Sequence, residues 1–140
     1  MIVPENILDK MENEMKVIKD STKLKSKGLT ESVVEQMEKE WPEMTKEFKK
    51  IQTEQYELFC RKQHDYGPGN ISVGTQLGTP EEVRLSLTGL WFRMNDKMQR
   101  FQQIVINNQE PENESLMDTF MDLTNYSLMA QLVKEKVWGK

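Results

Sequence analysis

Four side chains with oxygen ligands recur in the C-terminal third of the chain, at steps of four, four and three residues. They are Glu114, Asp118, Asp122 and Asn125. If this segment is helical, such steps stack the four side chains on one face, with neighbouring Cβ atoms about 5–6 Å apart. Apolar residues border or extend that face, namely Met121, Leu128, Met129 and Leu132. We therefore expect the acids to point into a cleft lined by protein.

Carboxylates in such a cleft need a cation, because an unpaired buried charge is costly. The cation is either Lys or Arg from a neighbouring helix or a divalent metal ion with oxygen ligands. The preceding helix offers a mixed row of charges, Arg93, Asp96, Lys97 and Arg100, and an earlier helix adds Glu54 and Glu57. Acids from three helices would suit Mg²⁺ or Mn²⁺ and a phosphate-bearing substrate, whereas one histidine and one cysteine disfavour zinc.

The same charge rows have a second interpretation. Charged rows on helices are usually solvated faces or structural salt bridges, and such pairs at the surface stabilise a protein little. Spacing by itself does not decide between a metal site, a lysine-paired cleft and a solvated face.

Composition limits the kind of protein. A chain of 140 residues has the length of one domain. The net charge is −4 and the basic residues are interleaved with acids, so a nucleic-acid partner is not indicated. One cysteine excludes an internal disulfide, no signal-peptide pattern is present, and no apolar run approaches the roughly 20 residues that span a bilayer. These features predict no membrane role and a cytoplasmic location.

Apolar periodicity predicts an all-α fold, a bundle of four to five helices. The expected helices span residues 4–19, 30–41, 42–64, 79–105 and 112–137, with Thr30 as a cap of the second. A long ordered loop is expected at 65–79, where four glycines and a proline interrupt the pattern. We divide the chain into an N-terminal helical extension, 1–40, and a helical domain, 41–140.

The two C-terminal helices carry further signals. Thr79 and Pro80, followed by Glu82, form the clearest helix start, with a capping residue, a proline at the first position and a capping-box acid. The helix that follows is apolar on two faces, which predicts a homodimer or homotetramer. The main apolar stripe of the last helix is expected at Leu116, Phe120, Leu123, Ser127, Ala130 and Val137, opposite the acids. The tryptophans are expected in the core.

Three stretches together resemble the nucleotide-modification-associated helical domain common in phage genomes. They are Lys62 to Gly67, Arg93 to Lys97 with Arg100, and Asp118 to Tyr126. The resemblance covers roughly residues 45 to 135. That domain is in turn similar to the all-α nucleoside triphosphate pyrophosphohydrolases, the MazG-like and dimeric dUTPase-like superfamily, whose helices supply carboxylates for Mg²⁺. The resemblance implies a MazG-like bundle for residues 41–140, completed by oligomerisation.

The resemblance also implies roles for individual residues. Glu54 with Glu57, and Asp118 with Asp122, would hold Mg²⁺ or Mn²⁺. Glu57 and Asp96 would act in catalysis, Asp96 by supporting the metal ligands. The substrate-binding residues would be Lys62, Asp65, Tyr66, Asn70, Arg93, Lys97, Arg100, Asn125 and Tyr126. Within this set Lys62, Lys97 and Arg100 would bind phosphate, and Lys62, Asp65, Tyr66 and Asn70 would lie near base or sugar.

Three functions remain open. The preferred hypothesis is a Mg²⁺-dependent nucleoside triphosphate pyrophosphohydrolase that acts on a (deoxy)nucleotide, releases monophosphate and pyrophosphate, and serves phage nucleotide metabolism. The alternative is a non-catalytic nucleotide-binding or adaptor protein associated with phage DNA base modification. The acid pairs depart from the superfamily pattern, with a second pair spaced by four instead of three, which favours this alternative. A purely structural helical oligomer is the third hypothesis.

Overall fold

The computed structural model describes residues 13–16 and 32–140. Residues 13–16 are helical, and the rest of the helix predicted at 4–19 lies outside the described residues, as does Thr30. The further elements are α1 Val33–Glu40, α2 Pro42–Tyr66, α3 Gly69–Ser72, α4 Pro80–Phe101, a π-helical segment Gln102–Ile106, and α5 Leu116–Lys134. The described part of the chain contains no strand, which confirms the all-α prediction. The MazG-like arrangement and oligomerisation stay predictions.

The chain divides into two compact units, Met1–Lys49 and Lys50–Lys140. The domain boundary predicted after residue 40 stays a prediction. None of the described helices is both long enough and apolar enough to cross a membrane.

Helix α1 lies in the first unit and begins at a capping box. The Ser32 hydroxyl accepts a hydrogen bond from the Glu35 amide at 3.2 Å, and the Glu35 carboxylate accepts one from the Ser32 amide at 2.8 Å. Ser32 is therefore the cap, and the choice of Thr30 was wrong. The helix ends at Trp41, whose backbone leaves the helical region before Pro42, as predicted from the steric restriction on a residue that precedes proline.

Helix α2 ends where Gly67 takes a positive φ of 66°, a conformation that costs glycine little. The segment predicted to be a loop then contains the single-turn helix α3. Two hydrogen bonds hold this turn and the residue before it against the rest of the second unit. The Ser86 hydroxyl donates to the Ile71 carbonyl at 2.6 Å, and the Trp138 indole donates to the Pro68 carbonyl at 3.0 Å. The sequence analysis therefore missed the helical turn in this segment, and the order of the segment stays a prediction.

Helix α4 begins as predicted. The Thr79 hydroxyl accepts from the Glu82 amide at 3.2 Å and Pro80 occupies the first turn. The Glu82 carboxylate accepts from the Gly78 amide at 2.7 Å, one residue before the position that a capping box uses. Large apolar side chains on α4 are exposed, namely Leu85, Trp91, Phe92 and Met98. They agree with the prediction that this helix is apolar on two faces.

The core of the second unit is small. Its buried apolar residues are Ile71, Leu90, Met129, Val133 and Trp138. Trp41 and Trp91 are exposed, so the expectation that tryptophans lie in the core holds for Trp138 and fails for the other two.

Helix α5 does not bury the apolar stripe expected from the sequence. No member of that stripe is buried, and Phe120, Ser127 and Val137 are exposed. The buried face instead carries Thr119, Asp122, Asn125, Met129 and Val133. This face is polar in its N-terminal half and apolar in its C-terminal half. The expected stripe was wrong because polar side chains with partners on other helices occupy the interior here.

Candidate functional site

Asp122 links three helices through two lysines. Its Oδ1 lies 2.6 Å from Lys62 Nζ on α2, and its Oδ2 lies 2.8 Å from Lys97 Nζ on α4. Lys97 also contacts Glu114 at 2.9 Å. The Asp122 side chain is only 12 % exposed. The prediction that the acid face points inward is therefore confirmed for Asp122 and Asn125, which are buried, and was wrong for Glu114 and Asp118, which are exposed. Within this chain lysines supply the cations that the sequence required.

Hydrogen bonds between Asp122 and its lysine partners shift the pKa values of Asp122 and Lys97 towards the charged forms. Burial raises the pKa of the Asp122 carboxyl, but hydrogen bonds from Lys62 and Lys97 oppose it and leave the pKa below its ordinary value. Burial lowers the pKa of Lys97, but its hydrogen bonds to Asp122 and Glu114 prevail and the pKa is raised. Asp122 and Lys97 are consequently charged near neutral pH.

A pocket of about 90 Å³ opens beside Asp122, between α2, α3, α4 and α5. Its charged lining consists of Lys62, Arg93 and Asp122, and its amide lining of Gln63, Asn70 and Asn125. Tyr66 and Tyr126 add aromatic rings, while Ile71 and Met129 add buried apolar surface. The structure thus brings six of the predicted substrate-binding residues to one pocket: Lys62, Tyr66, Asn70, Arg93, Asn125 and Tyr126.

The three amide side chains of the pocket are incompletely paired. Gln63 Nε2, Asn70 Oδ1 and Asn125 Nδ2 are buried and have no hydrogen-bond partner among the described residues. Asn125 as a residue is 3 % exposed. An unsatisfied buried polar atom costs about 1–3 kcal/mol, and native proteins hold few of them. Three such atoms around one pocket indicate a place prepared for a polar ligand or for ordered water.

Local structure explains how these amides are held. Gln63 lies on the last turns of α2, and Asn70 lies within the single turn of α3. The Arg93 guanidinium on α4 donates to the Asn70 backbone carbonyl at 3.3 Å, which ties the turn to α4. Asn125 follows Asp122 by three residues, so both project from the same face of α5.

Other predicted site residues lie elsewhere. Arg100 donates to the Ser115 carbonyl at 3.1 Å and also binds the Glu114 carbonyl and the Thr119 hydroxyl, so it holds the start of α5. Asp65 is exposed and contacts His64 at 3.1 Å. Asp96 is exposed and does not line the pocket.

The four predicted metal ligands do not converge within the chain. Glu54 and Glu57 are exposed and face Lys50 and Arg61, each at 3.9 Å. Asp118 caps α5, accepting from the Ser115 amide at 3.1 Å and from its hydroxyl at 2.7 Å. Residues 13–16 and 32–140 contain no group of three His, Cys, Asp or Glu side chains placed to hold a metal ion. We therefore derive no chemical step through Mg²⁺ or Mn²⁺, and metal binding stays a prediction.

Two buried amides escaped the sequence reasoning. Gln55 is buried on α2 and its side chain donates to the Met121 carbonyl of α5. Gln63 lies in the pocket beside Lys62. Gln63 precedes Tyr66 by three residues on α2, and this step is the signal that could have placed Gln63 with the predicted ligand-binding residues.

Comparison with known proteins identifies a family over the part of the chain that forms the pocket. The family described as Nucleotide modification associated domain 1 matches residues 62–133. The match begins at Lys62 and contains all ten residues that line the pocket. No curated protein and no solved structure gives a significant match. Since the match covers more than half of the chain, the protein belongs to the Nucleotide modification associated domain 1 family.

Proposed function

We propose that the protein binds a nucleotide in the pocket beside Asp122 and serves DNA base modification as a non-catalytic nucleotide-binding or adaptor protein. The observation that carries this proposal is the set of three buried, unpaired amide atoms next to Lys62 and Arg93. A nucleotide offers both parts that such a pocket needs, hydrogen-bonding groups on its base and negative charge on its phosphate.

The charges of the pocket suit an anion. Lys62 and Arg93 are positive and Asp122 is negative, which leaves an excess of one positive charge among the lining residues. The Lys62 side chain is 38 % exposed and Arg93 is exposed, so both can reach a phosphate at the mouth. Positive charge at a pocket mouth attracts anionic ligands and raises their rate of association.

The lining also suits a base. Asparagine and glutamine recognise base edges because each amide carries one donor and one acceptor group. Tyrosine rings provide stacking surfaces for bases, and Tyr66 and Tyr126 both line the pocket. The phosphate would therefore lie towards Lys62 and Arg93 and the base towards the amides.

Binding is better supported than hydrolysis. A general base must accept a proton, yet both oxygens of Asp122 are engaged by lysines that lower its pKa, which weakens it in that role. Glu54, Glu57 and Asp118 do not line the pocket. The pyrophosphohydrolase therefore stands as the competing outcome of the experiment below.

The test combines calorimetry with product analysis. Purified protein is titrated with deoxynucleoside mono- and triphosphates, with and without Mg²⁺ or Mn²⁺, and the mixtures are then resolved by anion-exchange chromatography. Lys62→Met removes the pocket lysine, and Arg61→Met removes an exposed charge from the neighbouring position of α2 as a matched control.

The expected result is binding without turnover, weakened about tenfold or more by Lys62→Met and unchanged by Arg61→Met. Failure of every nucleotide to bind would overturn the proposal. Release of monophosphate and pyrophosphate would replace it with the pyrophosphohydrolase function.

A further inference from the structure

We infer that the base bound in this pocket is a pyrimidine, read through Gln63, Asn70 and Asn125. The inference rests on the proposed function, since it names the class of nucleotide that the same pocket accepts. Two independent observations lead to it: the hydrogen-bonding character of the unpaired atoms and the size of the pocket.

The unpaired atoms comprise two donors and one acceptor. In the amide orientations of this structure, Gln63 Nε2 and Asn125 Nδ2 donate, whereas Asn70 Oδ1 accepts. A base that pairs with all three must offer two acceptors and one donor. Bases outside a duplex are commonly read on the Watson–Crick edge, so this edge decides which bases fit.

By the number of donors and acceptors on this edge, pyrimidines meet this requirement and purines do not. Uracil and thymine present two carbonyl oxygens around one N–H group. Cytosine presents a carbonyl oxygen and a ring nitrogen as acceptors and an amino group as donor. Guanine presents one acceptor and two donors, which reverses the required count. Adenine presents one of each and would leave one amide donor unpaired.

The pocket has the size of a single ring. Its volume is about 90 Å³, and the buried side chains of Ile71 and Met129 line it together with the amides. A fused purine needs more space than a single ring, and close packing at Ile71 and Met129 resists enlargement of the pocket on that side. A six-membered ring can enter by moving Tyr66 and Arg93, the two exposed residues of the lining. Such side-chain movements are common on binding.

The expected preference follows from the unpaired group that a purine leaves behind. One unsatisfied buried donor or acceptor lowers affinity by about tenfold or more. We therefore expect dUMP, dTMP and dCMP as a group to bind at least about tenfold more tightly than dAMP and dGMP.

The test measures ratios of affinity by calorimetry with these five monophosphates on the full chain. Asn125→Asp converts a donor into an acceptor at nearly constant shape, and Gln63→Met removes a donor without adding charge. Gln131→Glu, at an exposed position of α5, is the matched control for an amide-to-acid change. Thermal unfolding of each variant checks that it is folded.

Because the negative charge of Asn125→Asp affects every monophosphate, the ratio of pyrimidine to purine affinity isolates base recognition. We expect this ratio to fall towards one in Asn125→Asp and in Gln63→Met, and to stay at the wild-type value in Gln131→Glu. Equal affinity for purines and pyrimidines in the wild type, or an unchanged ratio in both pocket variants, would overturn the inference while leaving nucleotide binding intact. Absence of binding by all five monophosphates would overturn the inference, and absence of binding by the triphosphates as well would overturn the proposed function.

Discussion

Asp122→Asn is the most informative single change for stability, because it removes the charge that links α2, α4 and α5 while keeping the shape of the side chain. A hydrogen bond to a charged group contributes about 1.5–3 kcal/mol when buried. The Lys62 side chain is 38 % exposed, so solvent reduces its bond to about 1 kcal/mol. The Lys97 side chain is only 17 % exposed, so solvent weakens its bond to Asp122 less, and that bond contributes about 2 kcal/mol. In the variant Lys97 keeps Glu114 as a partner.

The amide of the variant can still accept from one lysine, so the net loss in free energy of unfolding is about 2 kcal/mol. For a domain of this size that corresponds to a fall in Tm of roughly 8 °C. Urea unfolding followed by circular dichroism measures the free energy. Asp65→Asn, which neutralises an exposed acid whose neighbour is His64, is the matched control and should change stability by less than about 0.5 kcal/mol.

The pH dependence provides a second, independent check. The pKa of Asp122 in the folded chain lies below its ordinary value of 3.8. Its contribution to stability is therefore fully present above that value and is lost as the pH falls through the folded pKa. The wild type should exceed Asp122→Asn by its full margin near pH 7, and the margin should shrink below pH 3.8. Equal stability at pH 7, or a margin that stays constant down to pH 2.5, would refute the reasoning.

Two further predictions concern the ends of the same cluster. Ser115→Ala should lower the free energy of unfolding by about 1 kcal/mol because the capping box with Asp118 is lost. The control is Ser127→Ala, which removes an exposed hydroxyl that bonds within its own helix and should cause no loss. Equal losses for the two variants in urea unfolding would contradict the capping argument. Lys97→Met should be destabilising at pH 8, and since the pKa of Lys97 is raised above 10.5, the wild-type advantage should disappear only as the pH rises through that higher pKa. An advantage that vanishes between pH 8 and 9 in thermal unfolding would show that the raised pKa is wrong.

Several features could be predicted because their causes are local. The start of α4 depends on Thr79 and Pro80 and on the orphan amides of the first helical turn. The inward orientation of Asp122 and Asn125 follows from their helical spacing and their apolar neighbours. The all-α fold follows from periodicity that persists over many turns.

The remaining features depend on which helices meet. Sequence identified a buried acid that needs a cation, but Lys62 lies 60 residues away from Asp122, and no local pattern distinguishes a lysine partner from a metal ion. Glu54 and Glu57 follow the spacing of a ligand pair yet lie on an exposed face of α2. The turn α3 has four residues, which is too short for a helical period to show in the sequence. The unpaired amide of Gln63 can be recognised only from the three-dimensional structure, because the other residues that line the pocket come mostly from other helices.

The buried face of α5 is polar in its N-terminal half and apolar in its C-terminal half, so the two halves should respond differently to salt and to temperature. Near Thr119, Asp122 and Asn125 the helix is held by charges and hydrogen bonds, and near Met129 and Val133 it is held by apolar burial. Salt screens the partly exposed ion pairs, whereas cooling weakens apolar burial. High salt should therefore loosen the N-terminal half first, and low temperature the C-terminal half. Ionic strength thus acts on the end that carries Asp122 and Asn125, so salt should weaken the polar side of the pocket before the apolar side at Met129.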